Sequence, residues 1–431
     1  MPNLRNRGAD RKTEVQNEDF KNISKAKAEK DVGISPHILI KYQSRSSKLD
    51  LHSLNNANHE FRGILTFFWL MISFYTVLLI YKNVTESGVL FDIAFIHYFS
   101  FDAHGVFFTD ILLLAFTFSI VVVEKMVVNR TIGRPLAIFL RHFLQSTLIS
   151  LSIWAAYQRD WSWLQRSLLV PHSMVLYMKM HSFSSNCESL GKCKDPEYPK
   201  NVSFSNFLYF LMAPTLVYQL EYPRTDRIRK SYVFEKIFGG LALFGVLFFI
   251  IQSHIRPILS LIPILPFYEV IIQLLFPITF CYIIMFFLIF DCLCNFFAEI
   301  TRFADRQFYE DWWNSTSFDD FARKWNKPVH HFLLRHIYHE GVYSYKLSKG
   351  KAKFLTFLFS SLMHELIVAV AIRKIKPYLF FLQMFQIPLI WFGNSRLIRQ
   401  NPVLGNILYW IGMLIGPSLL AILYCREFYL K

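Results

Sequence analysis

Charge is scarce in this chain: Asp, Glu, Lys and Arg make up 18% of its 431 residues, against the ~25% usual in soluble proteins. A soluble enzyme built around one ordinary core is thereby excluded. Also absent are the local signatures of several chemistries. There is no GxSxG elbow, no phosphate-cradling GxxxxGK[ST] loop and no GxGxxG fingerprint, so those hydrolase and nucleotide-binding templates do not apply. His364 and Glu365 begin an HE pair, but position 368 is Val368, so HExxH is missing too. The six cysteines, at 187, 193, 281, 292, 294 and 425, have no metal spacing. Cys187 and Cys193 could pair if their loop is lumenal, a choice the sequence leaves open. The first 60 residues contain no apolar stretch of signal-peptide type, so the first membrane span is expected to direct targeting.

What is abundant is apolar and aromatic. Hydrophobic residues reach 53% and the chain holds 45 phenylalanines, the composition of a polytopic membrane protein. Clear apolar stretches run Ile64–Tyr81, Val106–Val123, Lys236–Ile251, Ile271–Phe290, Phe354–Ile372, Pro377–Phe392 and Val403–Tyr424. Two more are interrupted by polar groups: Ala137–Tyr157, which carries Arg141 and His142, and Leu168–Met180. Each approaches the ~20 residues a spanning helix needs, giving an all-α bundle of about nine spans. The interrupted pair should lie inside the bundle rather than against lipid. Residues 1–60, mixed in charge and poor in aromatics, are expected to form a disordered cytosolic tail before a membrane domain over 61–431. The net charge of +15 fits the positive bias of cytosolic loops or a phosphate-bearing ligand, and does not call for nucleic acid.

One histidine stands in the wrong solvent. His364 lies at the centre of FLTFLFSSLMHELIVAVAI, residues 354–372. An ionisable group at bilayer depth is costly and usually marks a site, and His is the commonest general base. The alternative is a structural hydrogen-bonder between helices. Ser360 lies at i−4, on the same face, and Glu365 follows directly, so the wall carries a polar notch. With no protein nucleophile in evidence, such a base suits direct activation of a substrate hydroxyl against an activated acyl group. That reaction also needs a hydrogen-bond donor at the reacting centre and a seat for the acyl carrier. Asn326, in KWNKPVHH, is a candidate donor or else the cap of a turn before Pro328. Arg323, Lys324, Lys327, Arg335, Lys346, Lys349, Lys351 and Lys353 are opposed within 323–353 only by Glu340, a density that suits the phosphates of coenzyme A or equally a cytosolic loop. Trp325 or Tyr338 could pack on its adenine or pantetheine. His330, His331, His336 and His339 cluster within ten residues, but no cysteine or carboxylate completes a zinc set, and no metal is expected.

These residues resemble a known family. FYEDWWN at 308–314, WNKPVHHFLLRHIYH from Trp325, SSLMHEL around His364, FLYFLMAPTLVYQLEYPRT at 207–225 and MKMHSF at 178–183 match the sterol and diacylglycerol branch of the membrane-bound O-acyltransferases, in order. The resemblance covers roughly residues 60–428 and looks closest to the fungal sterol type, with diacylglycerol acyltransferases as the alternative. It implies a helical membrane bundle around a reaction chamber in the endoplasmic reticulum, assembled as homodimers or homotetramers. It implies His364 as catalytic base, Asn326 as its partner and Glu365 as a neighbour holding it. Acyl-CoA contacts fall on Arg323, Asn326, His330, Tyr338, Lys349 and Ser360, and the acceptor path on Gln386. The signature residues Phe308, Tyr309, Asp311, Trp312, Trp313 and Asn314 are implied to pack near the CoA entrance. One further family contact falls on Asp320, whose carboxylate does not favour a phosphate. The implied partners are acyl-CoA, an ergosterol-type sterol and membrane lipid, and no cofactor beyond the acyl-CoA substrate is implied. A non-catalytic lipid carrier on this scaffold would need the His/Asn pair to be lost, and both are present.

Overall fold

A computed structural model describes residues 40, 42–47, 49, 50, 62–89, 93–193 and 195–429. These residues are helical almost throughout; the extended pairing among them is limited to two isolated bridges, Arg45 with Asp305 and Arg224 with Phe303. Among the described residues seven helices are long and apolar enough to cross a bilayer: Thr66–Thr85, Ile96–Val128, Arg134–Gln158, Lys230–Ser260, Phe267–Ile300, Lys349–Ile372 and Pro402–Glu427. The stretch expected as a span over Pro377–Phe392 is the shorter apolar helix Tyr378–Gly393. Of the two interrupted stretches, Ala137–Tyr157 lies in the spanning helix Arg134–Gln158, and Leu168–Met180 lies within the 31-residue helix Trp163–Cys193, which is too polar to count with the seven. The fold class is as expected; the number of qualifying spans is smaller.

Proline inside a helix removes a main-chain bond, and neighbouring helices compensate in membrane bundles. Pro171, Pro277 and Pro417 sit within three of the long helices. Two of the long helices also widen into single π-helical turns, Ile251–Ile255 and Leu288–Leu293.

Arg141, which interrupts the Arg134–Gln158 helix, is buried. Its guanidinium forms a fork with Glu124 at 2.7 and 2.8 Å and reaches Glu188 at 2.6 Å. A buried cation is tolerable only when paired in this way. His142, its neighbour, is exposed. Ser152 and Ser173 share a hydrogen bond of 2.9 Å between this helix and Trp163–Cys193. The ammonium of Lys179 donates to the carbonyls of Phe210, Leu211 and Ala213 at 2.7–3.0 Å. It thus caps the end of helix Phe204–Met212, where last-turn carbonyls lack helical partners.

The polar N-terminal segment does not remain free up to residue 60. Arg45 exchanges main-chain hydrogen bonds with Ala304 and Arg306, both at 3.0 Å. Tyr42 packs against Tyr222 and Phe303, and Asp50 pairs with Arg229 at 2.9 Å. Local composition gave no sign of this, because the partners lie more than 170 residues away. The rest of the segment lies outside the described residues. Cys187 is buried and free; the side chain of Cys193 lies outside the described ones.

Candidate active site

The long stretch between the Phe267–Ile300 and Lys349–Ile372 helices folds into short elements. Helix Phe318–Lys324 is followed by an arm that starts as helix Lys327–Phe332, widens into a π-helical segment Leu333–His339 and ends at Glu340–Tyr343. Helix Phe318–Lys324 packs on the start of this arm, and the π-helical segment packs on Lys349–Ile372. That helix packs on Tyr378–Gly393, which returns to Phe318–Lys324. The four elements therefore close a ring. They carry Arg323, the trio Asn326, His330 and Tyr338, the trio Lys349, Ser360 and His364, and Gln386.

His364 is exposed on its helix, and its Nδ1 lies 2.8 Å from the carbonyl oxygen of Ser360. A carbonyl only accepts, so Nδ1 carries the hydrogen and Nε2 keeps its lone pair in the neutral ring. The Ser360 hydroxyl, at 3.5 Å from the same nitrogen, is a secondary contact. Glu365 does not hold the ring. Its buried carboxylate accepts from the Phe380 amide at 2.9 Å and from the Tyr424 hydroxyl at 3.1 and 3.2 Å. It fastens the first turn of helix Tyr378–Gly393 and the last long helix to the His364 helix.

Asn326 is the cap of its helix: its Oδ1 accepts from the Val329 amide at 3.1 Å. An asparagine in this role uses its oxygen and leaves its NH2 available. The reading as a turn cap and the reading as an amide donor are thus compatible. The signature loop lies alongside. The Lys327 amide donates to the Phe308 carbonyl at 3.0 Å, and the Glu310 amide to the Lys324 carbonyl at 2.8 Å. Asn326 sits between these two bonds.

The signature side chains are mainly packing groups. Phe308, Tyr309 and Trp312 are buried. Trp312 meets Phe286, Phe321, Trp325 and Trp410 edge-on or tilted, at centroid distances of 4.8–6.2 Å, a geometry that favours aromatic pairs. Trp325 also stacks on Tyr282 at 4.9 Å, so it is engaged by the protein rather than free for a ligand. The carbonyl of Trp313 accepts from Asn406 and Trp410, tying the loop to the last long helix. Gly412 on that helix is required by the fit, since a Cβ there would lie 2.5 Å from the Phe318 ring. Asp311 pairs with Lys324 at 3.4 Å, and Asn314 is exposed. Burial opposes it, but Lys324 and the Asn314 amide hold the Asp311 carboxyl below its usual range.

The basic run is less unopposed than its local sequence suggests. Arg323 pairs with Asp319 at 3.1 Å and Lys324 with Asp320 at 2.9 Å; Lys327 pairs with Glu310 at 2.8 Å and Lys353 with Asp319 at 3.0 Å. The last of these bridges the His364 helix to Phe318–Lys324. Lys349 is exposed and opens the 24-residue His364 helix after the cap Ser348. The free amides and positive dipole of such a terminus suit an anion. His330 and Tyr338 are partly buried on the arm. Burial, and then Arg323, push the His330 imidazole below its ordinary value. Gln386 is half-buried.

The sequence pattern of the membrane-bound O-acyltransferase family matches residues 98–426. The chain belongs to that family. Among curated proteins it is 37% identical over 323 residues to sterol O-acyltransferase 2 of Saccharomyces cerevisiae, covering 61% of this chain and 50% of that protein. It is 33% identical over 416 residues to a probable sterol O-acyltransferase 2 of Schizosaccharomyces pombe, covering 85% and 87%. It is also similar to diacylglycerol O-acyltransferase 1B of Glycine max, 33% identical over 336 residues, covering 73% and 66%. The chain thus spans half the length of the S. cerevisiae relative and most of the S. pombe one.

Two structurally central residues carried no signal of their role in the sequence. Ser182, within MKMHSF, accepts from the Tyr218 amide at 2.8 Å and contacts His336 Nε2 at 2.9 Å. It joins three motifs that are far apart in sequence. Tyr424, the partner of Glu365, carried no local signal at all.

Proposed function

We propose that this membrane-bound O-acyltransferase transfers a long-chain acyl group from acyl-CoA to the 3β-hydroxyl of a sterol, forming steryl esters for storage. The observation that carries the reading is the orientation of His364. Its Nδ1–H is committed to a main-chain carbonyl, and a lone-pair nitrogen stands exposed on an otherwise apolar helix. Nε2 takes the sterol hydroxyl proton as the oxygen attacks the thioester carbonyl. The Asn326 amide donates a hydrogen bond at the reacting centre, and the coenzyme A thiolate leaves as the new ester forms. Arg323, His330, Tyr338, Ser360 and Lys349 are assigned to the carrier, the last at a helix N-terminus suited to phosphate. Gln386 is assigned to the acceptor path.

The sterol acceptor rests on the fungal sterol O-acyltransferases among the relatives. The soybean relative supports a second reading, with diacylglycerol as acceptor and the same base. The endoplasmic reticulum, a dimeric or tetrameric assembly and a chamber inside the ring of elements belong to the same proposal. Purified protein offered labelled oleoyl-CoA with ergosterol or with diacylglycerol, in separate reactions, tests it. Ester formation on ergosterol is expected; product on diacylglycerol alone would transfer the assignment to the second reading.

A further inference from the structure

A cluster outside this site draws together residues that the sequence keeps apart. His181 stands on helix Trp163–Cys193, while His336 and Glu340 stand one turn apart on the arm that follows Asn326. One donor atom from each lies within 4.8 Å of the others. His336 Nδ1 and Glu340 Oε1 are 3.2 Å apart, and the His181 and His336 rings meet edge to face at 5.1 Å. Among the described residues the Nε2 of His181 is buried without a hydrogen-bond partner. A buried imidazole nitrogen with no partner needs an explanation, and a role as metal ligand supplies one.

We propose that His181, His336 and Glu340 bind a single divalent ion of the zinc class. Two imidazoles and one carboxylate are a ligand set that zinc accepts, with a fourth position left for water. Ligand bonds of ~2.0–2.2 Å place tetrahedral donors roughly 3.3 Å apart, close to the His336–Glu340 separation. The His181 nitrogen lies within 4.8 Å of the other two donors, and ligation would draw it closer. Outer hydrogen bonds that orient ligands are also in place. Ser182 Oγ lies 2.9 Å from His336 Nε2, and Ser185 Oγ donates to Glu340 Oε1 at 3.1 Å. Such partners fix the ring orientation and the donor nitrogen. The Glu340 side chain is 32% exposed, which gives the ion a route from solvent. Bound there, it would fasten helix Trp163–Cys193 to the arm that carries Asn326, His330 and Tyr338. The site is independent of which lipid accepts the acyl group.

The test is metal content. The full chain is purified in detergent, incubated with zinc, freed of loose ions by gel filtration over a weak chelator, and assayed by elemental mass spectrometry. Stoichiometric zinc is expected, lost in His181→Gln and in Glu340→Gln but retained in His339→Gln, which alters a neighbouring arm residue outside the trio. Cobalt in place of zinc should give the visible absorption of a tetrahedral site. If the wild-type chain retains no zinc and shows no cobalt band, the trio is a hydrogen-bonded cluster only and the proposal fails. Zinc retained equally by wild type and both ligand variants would also overturn it. The wild-type measurement decides even if a variant does not fold.

Discussion

The carbonyl of Phe308 accepts the main-chain amide of Lys327 at 3.0 Å, so the first residue of the aromatic signature anchors the residue after Asn326. With the Glu310–Lys324 bond on the other side, the signature loop splints the entry to the arm. Its aromatic side chains supply the packing that keeps the splint in place. The motif thus bears on Asn326 through the backbone.

Replacing His364 by Ala should remove general-base catalysis, typically a loss of about 10²–10⁴-fold in turnover. The side chain is exposed and its one strong bond is to its own helix, so yield and thermal midpoint should stay near wild type. Esterification by the purified variant at wild-type rates would show that the base lies elsewhere.

The two uses of Asn326 can be separated. Asp caps a helix about as well as Asn but offers no amide hydrogen. Asn326→Asp should therefore keep the thermal midpoint while esterification falls; Asn326→Ala should lower both, the cap being worth about 1 kcal/mol. An Asp variant with full activity would reduce the residue to its capping role.

Glu365→Ala leaves the Phe380 amide without its acceptor and the Tyr424 hydroxyl with the Lys376 carbonyl alone. A buried group left unpaired costs about 1–3 kcal/mol, so the thermal midpoint should drop. Tyr424→Phe removes the hydroxyl that donates to Glu365 and to the Lys376 carbonyl and that accepts from the Leu379 amide at 3.0 Å, so its thermal midpoint should drop as well. A Glu365→Ala protein as stable as wild type would argue against the clamp.

These cases divide what was legible from what was not. Apolar runs near bilayer length disclosed the all-helical class, because a lipid environment leaves its mark on local composition, and an ionisable residue inside one of them singled out His364, whose role as base belongs to the proposal. The partners of Glu365 did not show, since Tyr424 lies 59 residues away and ordinary tyrosines occur throughout the chain. The basic run looked unopposed for a different reason: Asp319 and Asp320 lie just outside the window and pair with Arg323, Lys324 and Lys353. The four histidines of the arm gave no metal pattern locally, because the third ligand of the candidate site comes from His181. The spans diverged where Pro377–Phe392 yielded a helix of 16 residues and where the polar helix around Pro171 buries its polar groups among its neighbours.

Acid should weaken the arm. Burial, and then Lys327, push the His331 imidazole down to about 3, while in the unfolded chain it titrates near ~6.5. Between those values the unfolded state binds the extra proton, so this contribution is complete above ~6.5 and is lost as pH falls toward the folded value. The thermal midpoint should decline from pH 7 to pH 5, and less steeply in His331→Gln. Parallel pH profiles for the two proteins would remove His331 as a cause.

The bond from His364 Nδ1 to the Ser360 carbonyl has a consequence for how this site can change. A side-chain acceptor can be lost by a single codon change; a peptide oxygen persists whatever residue occupies position 360. The proton arrangement of the imidazole is therefore insulated from mutation at its nearest neighbour. Position 360 is left free to vary without disturbing which nitrogen of His364 carries the hydrogen.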